Sequence, residues 1–85
     1  MKTSKRLLED MLHAIETIET YQVSTYEQFV QDGRTQDAIM FNLVVLGEAA
    51  NKIPRDFHET HSELPWAAMI GTRNIIFHGY DQICF

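Results

Sequence analysis

The chain has a single cysteine, Cys84, which excludes an intramolecular disulfide framework. With no basic-then-apolar leader pattern, the expectation is a reducing, cytoplasmic setting. Long hydrophobic runs are missing too. The longest nearly uncharged stretch, "AIMFNLVVLG", falls well short of the roughly 20 apolar residues a membrane helix needs, so no membrane partner is expected. Basic charge is scarce: 7 Lys and Arg face 12 Asp and Glu, for a net charge of −5. An acidic surface repels the phosphate backbone at long range, which argues against DNA binding through a broad basic face. A small basic pocket remains compatible with that balance, because local charge sets local chemistry. Strand-like alternation, internal repeats and low-complexity segments are all absent.

What is present is an ordinary globular composition, with 45% hydrophobic and 22% charged residues over 85 positions. Residues 1–85 make one domain. A chain of this size buries only about 60% of the surface it exposes when unfolded. Its stability is therefore marginal, and a homodimer or higher oligomer is a natural remedy.

Three long apolar patterns carry helical periodicity. Leu7, Leu8, Met11, Leu12, Ile15 and Ile18 recur at three- and four-residue steps, predicting an amphipathic helix over 4–22 with Ser4 as its N-cap. Thr25 and Gln28 fit a capping box for a short helix ending before Gly33, where "DGR" signals a turn. Residues 34–53 predict a second long helix, apolar on most sides, with Gly47 allowing a neighbour to approach closely and Pro54 ending it. "PRDFHETHSELP" reads as a polar connector with at most a helical turn. "PWAAMIGTRNIIFHG" predicts a third substantial helix, opened by Pro65 and ended by Gly79. The class is all-α, an antiparallel bundle left open on one side, a gap that another copy of the chain would fill.

Chemistry concentrates at the end of that third helix. Arg73 and His78 stand five residues apart, so their Cβ atoms diverge by roughly 140° around the axis. Asn74 and His78 share a face, as do Arg73 and Tyr80 if the helix continues. The four polar residues line a wedge, and Arg73 is long enough to swing towards the histidine. In the plain structural alternative, Arg73 snorkels and His78 caps a helix end. The gathering of Arg, Asn, His and Tyr where periodicity predicts a core helix weakens it.

"RNIIFHGY" resembles the R-x(4)-H-x-Y signature of the HepT-like branch of the HEPN superfamily. "LLEDMLHAIETIETY", "RTQDAIMFNLVVLGEAANKIP" and "LPWAAMIGTRNIIFHGY" resemble that family's segments in the family's order, so the likeness covers about residues 7 to 81. The resemblance implies a four-helix-bundle type of fold. It also implies the toxin of a toxin–antitoxin pair, a metal-independent ribonuclease without cofactor, with Arg73 and His78 as the active-site pair at a dimer interface. The implied partner is a minimal nucleotidyltransferase that acts as antitoxin by transferring AMP to Tyr80. Family members usually continue into a further helix, whereas only Asp81 to Phe85 follow the motif here. The expectation is a bundle with its last helix truncated. The alternative function is then an inactive relative that still dimerises or binds the antitoxin.

The residue chemistry agrees. Metal-free RNA cleavage needs a base for the 2′-hydroxyl, an acid for the leaving 5′-oxygen and positive charge on the phosphate. Histidine titrates near neutrality, and the planar fork of arginine suits a phosphate. One histidine cannot readily make both transfers at once, so two His78 side chains meeting in one cleft of a two-fold dimer is the expectation. Asn74 is a supporting candidate. So is Glu48, a lone acid on an apolar helix that either orients Arg73 or His78 or pairs with Lys52 four residues on. His58 and His61 lack a third ligand for zinc and read as solvated loop residues. Trp66 reads as a core anchor, and Arg34 and Asp37 as capping or surface-pair residues.

Overall fold

The structure, a computed structural model, describes residues 2–21 and 25–79. Five helices follow one another: α1 Ser4–Glu19, α2 Tyr26–Gln31, α3 Gly33–Lys52, α4 Arg55–Thr60 and α5 Trp66–Gly79. No strand occurs among the described residues, and the all-α expectation holds.

Local chemistry sets the helix ends. α1 is capped by Thr3, whose side chain accepts the Arg6 N–H at 3.2 Å. The expected cap, Ser4, is already helical, because two adjacent hydroxyl residues offer equivalent capping chemistry. α1 also stops at Glu19, short of the predicted 22. The hydroxyls of Thr17 and Thr20 bond to the carbonyls of His13 and Thr17, and such back-bonding competes with a continuing helix. Gln22 lies outside the described residues.

Thr25 caps α2 by accepting the Gln28 N–H at 3.1 Å. The "DGR" turn shrinks to one residue. Asp32 closes α2 and opens α3, its carboxylate taking the Thr35 N–H at 3.1 Å and the Thr35 hydroxyl at 2.6 Å. Gly33 is already the first helical residue, and Asp32 does the capping for which Arg34 and Asp37 were candidates. Gln36 then ties the two helices together by donating to the carbonyls of Phe29 and Val30.

α3 is the central element, with α1 and α5 packed on either side of it. The start of α1 lies beside the end of α3, where Lys2, Thr3 and Ser4 share a cleft with Lys52 and Pro54. α5 likewise runs against α3: Met69 packs on Gly47, and Thr72 lies near Leu43. The arrangement is thus antiparallel. The core gathers Leu7, Met11 and Ala14 from α1, Leu46, Ala49 and Ala50 from α3, then Ile53 and Trp66. The small residues Gly47, Ala49 and Ala50 keep the three axes close.

The connector is more ordered than its polarity suggested. α4 folds Phe57, His58 and His61 into a half-buried aromatic cluster against Trp66. The His58 ring stacks on Trp66 at 4.2 Å between centroids, and its Nε2 lies 2.9 Å from the Ala50 carbonyl oxygen. Trp66 Nε1–H donates to the His61 carbonyl at 2.9 Å. These histidines are packing groups and not solvated loop residues. Their aromatic faces cover Trp66 and Phe57, which a flexible loop would leave wet. Trp66 itself is the expected core anchor, 7% exposed.

Candidate active site

Gly47 determines where the site forms. A Cβ at that position would lie 2.7 Å from the Met69 carbonyl oxygen and would collide with the Arg73 stem. Only glycine therefore lets α5 come this close, and the approach sets Arg73 level with Glu48. Arg73 Nε–H donates to Glu48 Oε1 at 2.6 Å, and Nη2 reaches the same oxygen. On the other edge, Nη1 donates to Asn74 Oδ1 at 2.5 Å. The guanidinium carbon sits 4.9 Å from the centre of the Phe77 ring.

Arg73 and Glu48 side chains are 22% and 31% exposed, so the pair is partly shielded from solvent. A guanidinium carries five N–H donors. With Nε–H and one hydrogen on each terminal nitrogen engaged, one N–H on each of Nη1 and Nη2 has no partner among the described residues. This is a held fork with unused donors, the geometry suited to a phosphate or carboxylate.

Of the sequence candidates, Arg73, Asn74 and Glu48 come together. Glu48 engages Arg73 and not Lys52. His78 stands apart, in the last turn of α5, exposed and without a hydrogen-bond partner among the described residues. Arg73 does not swing towards it, because the carboxylate and the amide already hold the guanidinium on the α3 side. Tyr80 and Cys84 lie outside the described residues. Among the described residues, no three His, Cys, Asp or Glu side chains come close enough to hold a metal ion. Nor is any described helix long and apolar enough to cross a membrane.

Phe77 is the residue the sequence reading passed over. It lies one turn after Arg73, touches the guanidinium and is 56% exposed. Four-residue spacing from Arg73 was the available signal.

The fold and site define an all-α protein, an antiparallel helical layer with an arginine held by Glu48 and Asn74 at one edge and an exposed histidine in the last turn of the same helix. The chain belongs to the ribonuclease HepT-like family, whose pattern matches residues 11–84. It is 39% identical over 80 residues to the "Probable ribonuclease HepT" of Thermococcus cleftensis, covering 93% of this chain and 73% of that one. It is 36% identical over 81 residues to a protein of Caldanaerobacter subterraneus subsp. tengcongensis that carries a provisional RNase name, with 94% and 72% covered. A provisionally named RNase of Methanocaldococcus jannaschii is 35% identical over 80 residues, with 93% and 73% covered. No solved structure matches the chain.

Proposed function

We propose that this chain is a metal-independent endoribonuclease and the toxin of a toxin–antitoxin pair, with Arg73 and His78 as its catalytic residues. The observation that carries this reading is the Arg73 fork, fixed by Glu48 and Asn74 with donors to spare. It would hold the scissile phosphate and stabilise the charge that builds on its oxygens. Glu48 and Asn74 act as positioning residues. The 2′-hydroxyl loses its proton to a base and attacks phosphorus. The 5′-oxygen leaves with a proton from an acid, giving a 2′,3′-cyclic phosphate.

Imidazole suits either transfer near neutral pH. In a two-fold dimer, one His78 acts as base and the partner subunit's His78 as acid. A heterodimer with one His78→Ala subunit should lose most activity at such a shared site. The cellular setting of this reading is the cytoplasm. Its partner is a small nucleotidyltransferase that silences the toxin by placing AMP on Tyr80, where the added phosphate would compete for Arg73.

The test is cleavage of single-stranded RNA in EDTA by the parent protein, Arg73→Ala, His78→Ala and Glu48→Gln. Parent activity is expected to fall by at least about 100-fold with either catalytic substitution, the scale of a lost acid–base or electrostatic group. Glu48→Gln, which retains an acceptor without the charge, should cost less. No cleavage by the parent, or equal cleavage by all four, overturns the reading.

A further inference from the structure

Among the exposed large apolar side chains that the proposed chemistry leaves unused, Phe77 is the one that touches the Arg73 guanidinium. An aromatic ring of a small bundle is ordinarily its first candidate for burial, yet this one is 56% exposed. It is not idle: one face meets the Arg73 guanidinium, 4.9 Å from carbon to ring centre. A cation over a ring of this kind is an attractive contact, and it fixes the ring beside the Arg73 donors that no described residue takes up. His78 follows directly in the chain. Glu48 and Asn74 occupy the edges of the guanidinium and leave two of its N–H groups without a partner among the described residues.

We infer that Phe77 is a nucleobase platform: a base of single-stranded RNA stacks on the ring face away from Arg73 while the adjoining phosphate binds the Arg73 fork. This rests on the ribonuclease reading for its choice of ligand. The physical logic is that of single-strand recognition, in which a cation tracks the backbone and an aromatic ring takes a base through its π-face. Every base has such a face, so the platform tolerates sequence. It requires an unpaired base, because a base inside a duplex has both faces occupied by its neighbours. Phe77 thus supplies a preference for single strands that the arginine and histidine alone would lack. The chain is acidic, with a net charge of −5, so long-range attraction cannot hold RNA and local contacts must do so.

The test measures binding rather than cleavage, so it can fail independently of the ribonuclease reading. In a His78→Ala background, Phe77→Trp provides a fluorescent ring at the proposed platform, and the same background without it controls for Trp66. The probes are a short single-stranded oligoribonucleotide and an abasic ribose-phosphate oligomer of equal length. The base-bearing oligomer is expected to quench the introduced indole, and the abasic one to leave it unchanged. Phe77→Leu, still apolar but not aromatic, should weaken binding of the base-bearing oligomer roughly 5- to 100-fold, the range of one lost base–aromatic stack. Phe77→Tyr should restore it. Equal affinity for both oligomers, or unchanged affinity in Phe77→Leu, overturns the platform. So does a Phe77→Leu protein whose sedimentation shifts to a smaller species, since the ring would then be covered by a second copy and not by a base.

Discussion

The two ends of the bundle are built differently. At one end, the second half of α3 is closed in by the first half of α1, by α4 and by Trp66, with Ala49, Ala50 and Ile53 all buried. At the other, the first half of α3 and the last turns of α5 present Phe41, Ile75 and Phe77 to solvent, with Phe41 68% exposed. α1 and α5 each pack on α3 but hardly on each other, and α2 packs on the start of α3, so Phe41, Ile75 and Phe77 stay exposed beside the buried Met40 and Ile76. The Glu48–Arg73 pair lies at the seam between these halves. The closed end holds Arg73 in one orientation through Gly47 and Glu48, and the open end leaves His78 and Phe77 reachable. Rigidity and access, which an active site needs together, come from opposite ends of the same three helices.

The sharpest way to break that comparison is to truncate a large side chain at each end. Trp66→Ala removes a buried indole with its stack on His58 and its hydrogen bond to the His61 carbonyl. The expected loss is about 3–5 kcal/mol, a large share of the roughly 5–15 kcal/mol available to a small domain. Urea or thermal melts would show it as a strongly lowered midpoint. Phe41→Ser should stay within about 0.5 kcal/mol of the parent, as an exposed substitution. Its effect should show instead as weaker self-association in sedimentation at high concentration. Equal destabilisation by the two changes would mean that the ends do not differ as described.

Gly47→Ala tests the seam. Alanine in a helix gains about 1 kcal/mol over glycine in propensity, whereas overpacking costs about 1–3 kcal/mol. The new Cβ meets the Met69 carbonyl oxygen at 2.7 Å and the stem of Arg73. Neither the backbone nor a stem fixed by two hydrogen-bonding partners yields easily, so the steric term should win. The expected signature is a modest loss in a melt and a much larger proportional loss of RNA cleavage, since α5 must step back and carry Arg73 away from Glu48. A stabilised variant with full activity would refute the close approach.

Much of this layout was legible in the sequence. Spacing of apolar residues located all three long helices, Pro54 marked a real end, and Gly47 stood out as a contact point, while the residues that follow Gly79 lie outside those described. Glu48 was ambiguous, because a carboxylate four residues before Lys52 suits a surface pair as well as a partner on another helix. Only the closeness of α5 settles it. His58 and His61 were illegible for a related reason: the Ala50 carbonyl and the Trp66 ring that hold His58 each lie eight residues away along the chain through a bend, and the Phe57 ring on which His61 stacks is ordered only by the same fold. Local polarity carries no trace of such contacts. Phe77 was hidden by its neighbours. It is roughly 40° from Arg73 around the axis, and periodicity cannot say which of two such positions faces an open edge.

The smallest expected effect separates the ends by acid. Asp32, at the start of α3 on the open side, has its carboxyl held below the ordinary value of 3.8, first by the Thr35 hydroxyl and then by the Thr35 N–H. A carboxyl depressed in the folded state contributes stability that is fully present above its unfolded pKa and is lost as pH falls through the folded one. Acidification below about pH 4 should therefore loosen the α2–α3 junction. Asp10, on α1 at the closed end, is also lowered, chiefly by its hydrogen bond from Lys2, yet α1 is held there by Leu7 and Met11 in the core. Amide exchange followed from neutrality to about pH 3 should show the α2–α3 amides losing protection before those of α1. Asp32→Asn, which retains an acceptor but cannot be protonated in this range, should remove the acid-dependent part of that loss while leaving α1 unchanged. Simultaneous loss at both ends would mean that the junction is anchored by packing and not by its cap.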